Sequence, residues 1–230
     1  MKKLTLIQAG ALVSLAAFLL LSIARAEHED ADARHAPGPG EPTLKEVRAA
    51  TERYRDVMVA LADGFIRDPF DLCDTAEMMG RPAALGAMGV HYVRPDLLGI
   101  TAPPSPRVNG NGVHTDFRTP SILIYEPQAD GSMELVAVEN LVFARAWRDR
   151  GHSAPPSFHG VPYDTMIDDP ATAADEAHMF EPHFDRHVWL YRDNPNGIFT
   201  PFNPAVTCVH HRGKHAHAGH LGNGPISGGR

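Results

Sequence analysis

Three polar side chains interrupt apolar runs whose alternation is typical of β-strands: His91, Glu139 and His187. A carboxylate buried in such a run must be paired, protonated, hydrogen-bonded or bound to a metal, because an unpaired buried charge costs too much free energy. Two imidazoles and one carboxylate are the ligand set of many Fe(II), Mn(II) and Zn(II) sites, which keep positions open for substrate or water. We therefore predict a divalent transition-metal site (Fe, Mn, Zn or Cu) at these three residues.

His183 is a fourth candidate ligand. If residues 183–187 form one strand, His183 shares a face with His187 but lies about 13 Å away at about 3.3 Å per residue. It could bind the same ion only if the chain bends near Phe184 and Asp185. Three histidines of the neighbouring irregular segment are reserve ligands, and two tyrosines are candidates to assist a bound metal: His152, His159 and His178, and Tyr92 and Tyr191.

A second interpretation stays open at this point. The candidate ligands are scattered rather than set at a diagnostic spacing, Glu139 faces solvent if its face is assigned wrongly, and a core histidine often only bonds a carbonyl or hydroxyl group. The chain is then a non-catalytic exported domain that binds a small ligand or a partner, with a tail that scavenges metal. Under the first interpretation, the protein is metal-associated through the His/Glu site, and the sequence names no reaction or substrate.

The C-terminal end forms a separate histidine-rich tail over residues 210–230. Dense flexible imidazoles bind Cu(II), Ni(II) or Zn(II) with little selectivity. We predict such metal binding for five tail residues: His210, His211, His215, His217 and His220. The alternative is a solvated tail that gains positive charge below about pH 6.5.

The N-terminus predicts export. A short cationic start, an apolar run over residues 9–24 and the small-x-small site Ala24-Arg25-Ala26 are typical of a cleaved signal peptide, residues 1–26. The alternative is an uncleaved membrane anchor, but the apolar run falls short of the roughly 20 residues of a spanning helix. We predict a periplasmic or extracellular protein with no stable membrane insertion after cleavage.

Composition excludes several classes of function. The chain has a formal net charge of −7, and the signal peptide carries basic but no acidic side chains, so the mature protein is more acidic still. No basic stripe exists to displace counterions from nucleic acid, so we predict no nucleic-acid partner. No glycine-rich phosphate loop follows a predicted strand, and no C-x-x-C-H motif occurs, so we predict neither a nucleotide nor a covalent haem. A metal ion or a small molecule is the expected ligand.

The two cysteines, Cys73 and Cys208, are expected to pair, since two thiols of one domain in an oxidising compartment usually do. The alternatives are two buried free thiols or a thiolate metal ligand.

The remaining pattern predicts an α+β fold. Thr43 and Glu46 form a capping box before a helix whose apolar stripe runs to Phe65, and Gly64 suits its end. Alternating runs predict strands over residues 85–93, 121–127, 132–143 and 186–192, the middle two joined as a hairpin through residues 128–131. In the third run we place Leu135, Ala137 and Leu141 on the face of Glu139. We expect the N-terminal helix to pack on a mostly antiparallel sheet that curls toward a barrel.

The domain organisation follows from these segments. After the signal peptide we predict a disordered lead-in over residues 27–42, a single α+β domain over 43–209 and the disordered tail over 210–230.

Three segments resemble an uncharacterised family of exported bacterial proteins: GAMGVHYVRPDLL (86–98), ILIYEPQADGSMELVAVENLVF (122–143) and HVWLYRDNPNGIFTPFNPAVTC (187–208). The resemblance covers most of residues 70–208. It implies that both cysteines and these strands belong to one domain, and it carries no activity, cofactor or partner to transfer.

Overall fold

The computed structural model describes residues 35–213. It has four α-helices and three 3₁₀ turns in this range: α1 Leu44–Thr51, α2 Val57–Ala62, α3 Pro95–Leu98 and α4 Ala144–Asp149, with turns at Glu52–Arg55, Glu77–Met79 and Ala83–Leu85. Its strands are β1 Ile66–Arg67, β2 Asp74–Thr75, β3 Ala87–Val93, β4 Ile122–Pro127, β5 Met133–Phe143, β6 Ser157–Phe158, β7 Val161–Pro162, β8 Asp164–Met166 and β9 His183–Val188. The predicted α+β class, with a mostly antiparallel sheet, is confirmed.

The main sheet is open. Its strand order is β1-β3-β4-β5-β9-β8, β2 also pairs with β3, and all these pairings are antiparallel. The hairpin between β4 and β5 is confirmed, and its turn is closed by a bond from the Gln128 amide to the Ser132 carbonyl. The described strands do not close into a barrel, so that part of the prediction is wrong. The outermost strands of this order, β1 and β8, are two and three residues long and do not pair with each other.

The predicted N-terminal helix is divided. The capping box is present, with the Glu46 amide 3.2 Å from Thr43 Oγ1 and the Thr43 amide 2.8 Å from Glu46 Oε2. Asp56, however, takes extended backbone angles, and its carboxylate accepts a hydrogen bond from the Met58 amide to begin α2. A short acidic side chain that bonds the nearby backbone competes with a continuous helix. The expected single helix up to Gly64 is therefore wrong.

The sheet buries both of its faces. On one face, Val90, Tyr92 and Val138 belong to a large apolar cluster, and on the other, Ile122, Ile124 and Leu141 belong to a second one. Residues directly opposite each other in an antiparallel sheet share a face. A side chain on any central strand is therefore covered on either side.

A β-bulge in β5 changes which residues share the face of Glu139. Ile124 pairs with Ala137 while Tyr125 pairs with Leu135, so Val136 is the extra residue. A bulge of this kind shifts the alternation by one position. Leu135 consequently lies in the opposite cluster from Ala137, and its predicted place beside Glu139 is wrong.

Strand β9 lies earlier in the chain than predicted. It is paired from His183 to Val188, and the chain leaves the ladder at Trp189, whose amide bonds the Ile198 carbonyl. Pro182 lies directly before His183, the first paired residue of β9. Because proline has no amide proton, this position outside the strand costs β9 no interstrand hydrogen bond.

The predicted disulfide between Cys73 and Cys208 is present, and it joins residues 135 positions apart. It places the end of the described chain beside β2, which begins at the next residue, Asp74. Free thiols and a thiolate metal ligand are thereby excluded. In the part of the chain that the structure covers, no helix has both the length and the apolar character required to cross a membrane.

Several predictions fall on residues outside the described range. They are the signal peptide, the lead-in before residue 35, and the tail histidines His215, His217 and His220. The described end of the lead-in contacts the body of the protein: Glu41 Oε2 accepts a hydrogen bond from the His159 amide at 2.9 Å.

Candidate metal centre

The three predicted ligands lie on one face of the sheet. Glu139 of β5 stands directly opposite His187 of β9, and the neighbouring pair on the other side joins Glu139 to Ile122 of β4. His91 of β3 pairs with Ile124, which lies on the same face as Ile122. The three side chains therefore reach toward one another across β4 and β5.

Their donor atoms converge. Glu139 Oε2 lies 3.3 Å from His91 Nε2 and 3.5 Å from His187 Nε2, and one ligand atom from each residue lies within 4.8 Å of the other two. All three residues are at most 1% exposed. The expected convergence of these side chains is confirmed, while their binding of a metal stays a prediction.

Most of these donor atoms have no hydrogen-bond partner. Both carboxylate oxygens of Glu139, both ring nitrogens of His187 and Nε2 of His91 are buried and unpaired, and the contacts to Glu139 lack the alignment of hydrogen bonds. Buried polar atoms are nearly always paired, because leaving one unpaired costs about 1–3 kcal/mol. A cation bound among them would satisfy several of them at once.

Asp74 orients His91, and no sequence pattern indicates this role. Its Oδ2 lies 2.9 Å from His91 Nδ1, both groups are buried, and Asp74 faces Gly89 in the pairing of β2 with β3. A carboxylate that accepts the proton of one ring nitrogen directs the other nitrogen at a metal. The only sequence signal was the position directly after Cys73, since a two-residue strand shows no periodicity.

The electrostatics of the group match an ion pair in the metal-free protein. Burial disfavours the imidazolium of His91, but the contacts with Asp74 and then Glu139 outweigh it and raise the pKa of His91 well above its ordinary value of 6.5. Burial likewise disfavours the carboxylate of Glu139, yet His187 and His91 together lower its pKa below 4.5. Glu139 is therefore ionised, the form in which a carboxylate binds metal.

His183 does not join this group. Strand β9 pairs residue by residue with β5 through Phe184 and Asp185, so the bend that His183 would need is absent from this strand. His183 instead lies with Asp185 and the reserve candidate His178, and one ligand atom from each lies within 4.8 Å of the others. The expectation that His183 shares an ion with His187 is therefore corrected.

The other reserve residues lie elsewhere. The His159 ring bonds the Pro42 carbonyl at 2.8 Å, and the His152 ring stacks on Trp147 at 4.0 Å. Tyr92 packs against Tyr125 in the cluster on the opposite face, and the Tyr191 hydroxyl lies 2.8 Å from that of Thr51. None of these four assists the candidate metal centre.

The two tail histidines that the structure describes differ in exposure. His210 is exposed, whereas His211 is buried with its ring 3.4 Å from Asp71 Oδ1. His211 therefore differs from the flexible imidazoles that the sequence predicts.

Two surface cavities of the described residues do not include the converging ligands. A cavity of about 360 Å³ is lined by residues that include Gly99, Asn109 and Arg145. A second, of about 300 Å³, is lined by residues that include Thr75 and Cys208. Neither is bordered by a residue of the two ligand groups, which are buried under the side chains of the sheet face.

Comparison with known proteins finds no similar protein. The chain matches no protein-family model, and no curated protein and no solved structure is significantly similar to it.

Proposed function

We propose that this protein is an exported metal-binding protein that holds a divalent transition-metal ion at His91, Glu139 and His187. The observation that carries the proposal is the convergence of three buried ligand atoms within 4.8 Å, most of them without a hydrogen-bond partner. Donor–donor separations of this size fit metal–ligand distances of about 2.0–2.2 Å with small side-chain movements.

The alternative to a bound metal is an ion pair between a protonated His91 and its neighbouring carboxylates, and it accounts for fewer of the unpaired atoms. A protonated His91 between Asp74 and Glu139 compensates charge, but it leaves both ring nitrogens of His187 and the Oε1 atom of Glu139 without partners. A cation ligated by Glu139 and His187 compensates the same charge and pairs the ring nitrogen as well. The unpaired His187 ring therefore favours a metal over a proton.

The types of ligand limit which metal ions the site is expected to bind. Two imidazoles and one carboxylate suit Fe(II), Mn(II), Zn(II) and Cu(II), whereas Mg²⁺ and Ca²⁺ prefer oxygen ligands. The disulfide withdraws both cysteines of the chain from competition as ligands. We expect zinc, iron, manganese or copper.

Because its three ligands are buried, we expect a bound metal ion to be retained and to exchange slowly with ions in solution. A bound metal supplies a Lewis acid and, where an open position meets water, a nucleophile. The three ligands are at most 1% exposed, so an ion bound among them is shielded from solvent. We therefore propose metal binding as the function of this face.

Export is the second half of the proposal. The disulfide supports an oxidising compartment, where such bonds persist, and the N-terminal pattern supports secretion into it. The histidine-rich tail would then be a separate, less selective metal-binding segment.

Metal analysis tests the proposal once the tail histidines are removed. We define the tail variant as the full-length protein with His210, His215, His217 and His220 replaced by asparagine, and with no affinity tag. After reconstitution and desalting, the tail variant should retain stoichiometric transition metal. Adding Glu139→Gln or His187→Asn should abolish retention at this centre, while His152→Asn should leave it unchanged. A folded tail variant that takes up no stoichiometric Zn, Fe, Mn or Cu would overturn the proposal.

A further inference from the structure

A second group of ligands repeats the composition of the first. His178, His183 and Asp185 supply two imidazoles and one carboxylate, at most 4% exposed, with one ligand atom from each within 4.8 Å of the others. Both nitrogens of His178, both oxygens of Asp185 and Nε2 of His183 have no hydrogen-bond partner. The unpaired buried atoms that support the first site thus occur a second time.

Each member of this group is held in place. His183 uses Nδ1 to bond the Glu181 carbonyl at 3.0 Å, which leaves Nε2 facing Asp185 Oδ2 at 3.8 Å. Asp185 lies on the ligand face of β9, opposite Leu141. A histidine whose Nδ1 is engaged by a carbonyl presents Nε2 as a metal ligand.

His178 is held by a strained loop. His178 and Met179 have φ angles of +36° and +69°, which residues other than glycine rarely adopt. Arg107 braces this loop with bonds to Asp168 Oδ2 at 2.6 Å, Asp175 Oδ1 at 2.9 Å and the Phe180 carbonyl at 2.8 Å. Backbone strain of about 1–3 kcal/mol per residue persists only where surrounding contacts enforce it. Here they enforce the inward position of His178.

The two groups are adjacent. The ring of His178 stacks at 5.5 Å from that of His91 and lies 5.2 Å from that of His183. Asp74 serves both groups, because its Oδ2 bonds His91 Nδ1 and lies 3.9 Å from His178 Nδ1. Asp185 stands two residues before His187 on the same strand face.

The charge of this region also calls for more than one cation. Asp74, Glu139 and Asp185 are buried, and within residues 35–213 no lysine or arginine forms an ion pair with any of them. Buried carboxylates without compensation are prohibitive. One divalent ion at the first group leaves Asp185 with the His183 imidazole, 3.8 Å away, as its ion-pair partner, and only when that imidazole is protonated.

We infer that this face of the sheet is a two-metal centre, with a second divalent transition-metal ion bound by His178, His183 and Asp185 beside the first. The inference rests on the proposed function. Metal ions in such pairs lie about 3.5–4 Å apart and share carboxylate ligands. Glu139 and Asp185 suit a shared role, because each has both oxygens unpaired.

Cobalt(II) alone, followed by equilibrium dialysis and elemental analysis of the full-length tail variant, tests the inference. The tail variant should bind two ions per chain. Adding His178→Asn or Asp185→Asn should reduce this to one, and adding His187→Asn should also leave one. The matched control, His152→Asn in the tail variant, should still bind two. Circular dichroism of each variant shows that it is folded, and having two independent variants of the second group guards against failure of either one.

The outcomes separate the two proposals. One ion per chain that is unaffected by His178→Asn and Asp185→Asn overturns the second site and leaves the first intact. One ion that is lost with either of those substitutions, and kept with His187→Asn, overturns both the pair and the first site. No stoichiometric cobalt in the folded tail variant overturns both proposals.

Discussion

The imidazole of His91 and the carboxylate of Asp74 are joined by a 2.9 Å hydrogen bond between Nδ1 and Oδ2, and both groups are buried. The bond fixes the tautomer of His91, so that Nε2 faces Glu139 Oε2. It also ties the ligand face of the sheet to β2, whose neighbour Cys73 carries the disulfide. Asp74 is thus a positioning residue for the proposed centre.

Replacing Asp74 with asparagine should weaken metal binding without removing a ligand. The amide keeps the size of the side chain but loses the negative charge that favours the Nδ1–H tautomer of His91. Partners of this kind contribute about 10–100-fold to metal affinity. Competition with a chromophoric chelator in the tail variant should therefore show a loss in this range. The control Asp63→Asn, at a partly exposed aspartate outside both ligand groups, should leave the affinity unchanged. An unaltered affinity in Asp74→Asn would contradict the orienting role.

Arg107 should affect the second ion selectively. Arg107→Gln removes the guanidinium bonds to Asp168 and Asp175 that hold the loop carrying His178. We expect the affinity for the second cobalt ion to fall by about 10-fold or more, as for other outer partners of metal ligands, while the first ion binds as before. Two-site titration of the tail variant measures both constants. Arg145→Gln, at an exposed arginine on α4, is the matched control. Equal losses at both sites would show that Arg107 supports the fold in general.

The residues whose convergence the sequence predicts lie on the longer strands of the sheet. His91, Glu139 and His187 lie in runs whose period of two fixes a face, and burial of both faces of the sheet makes each a buried polar group. Pairing of β5 with β9 then brings Glu139 opposite His187. Local alternation is enough to place each of these three on a strand, even though β5 bulges at Val136 and β9 ends at Val188.

The residues that the sequence analysis misplaces lie where alternation ends. Asp74 belongs to a two-residue strand, and His178 reaches the centre through a loop with positive φ angles that no local pattern encodes. The bulge at Val136 reverses the face of Leu135, and the break at Asp56 divides the predicted helix. Each depends on a single backbone conformation set by tertiary contacts, so neither periodicity nor composition reports it.

Gly89 of β3 should be intolerant of a side chain. Its φ is +119°, and an added Cβ would lie 2.8 Å from the Tyr125 carbonyl oxygen and 3.0 Å from Ile124 Cγ2. Gly131 in the β4–β5 turn has φ of +89° and nothing within 4 Å of the same position, which makes it a matched control. The positive φ should cost both alanine variants about 1–2 kcal/mol. The overlap should cost Gly89→Ala a further 1–3 kcal/mol, roughly.

Urea unfolding of the two alanine variants measures this difference. The predicted order is wild type, then Gly131→Ala, then Gly89→Ala, from highest to lowest free energy of unfolding. Because Gly89 faces Asp74 across the β2–β3 pairing, we expect Gly89→Ala also to bind metal more weakly. Equal stabilities of the two variants would show that β4 moves away from the added methyl group at no cost.

Asp68 should make the metal-free protein less stable as the pH rises. Burial, and then the neighbouring carboxylate of Asp74, raise the pKa of Asp68 from 3.8 to about 6. Between these values the folded state binds more protons than the unfolded state, so the free energy of unfolding falls as pH increases through this window. At about 1.36 kcal/mol per pH unit, the loss above pH 6 is about 3 kcal/mol.

Asp68→Asn should remove this loss. Asparagine can still accept the hydrogen bond that Asp68 Oδ1 receives from the Phe70 amide, but it carries no charge to bury. In urea unfolding with chelator present, the variant should be more stable than wild type above the folded pKa, by up to about 3 kcal/mol, and nearly equal to it below the unfolded pKa. Asp63→Asn, at a partly exposed aspartate, is the control variant. A gain for Asp68→Asn that is the same at low and high pH would mean that the carboxylate of Asp68 does not titrate between these values in the folded protein.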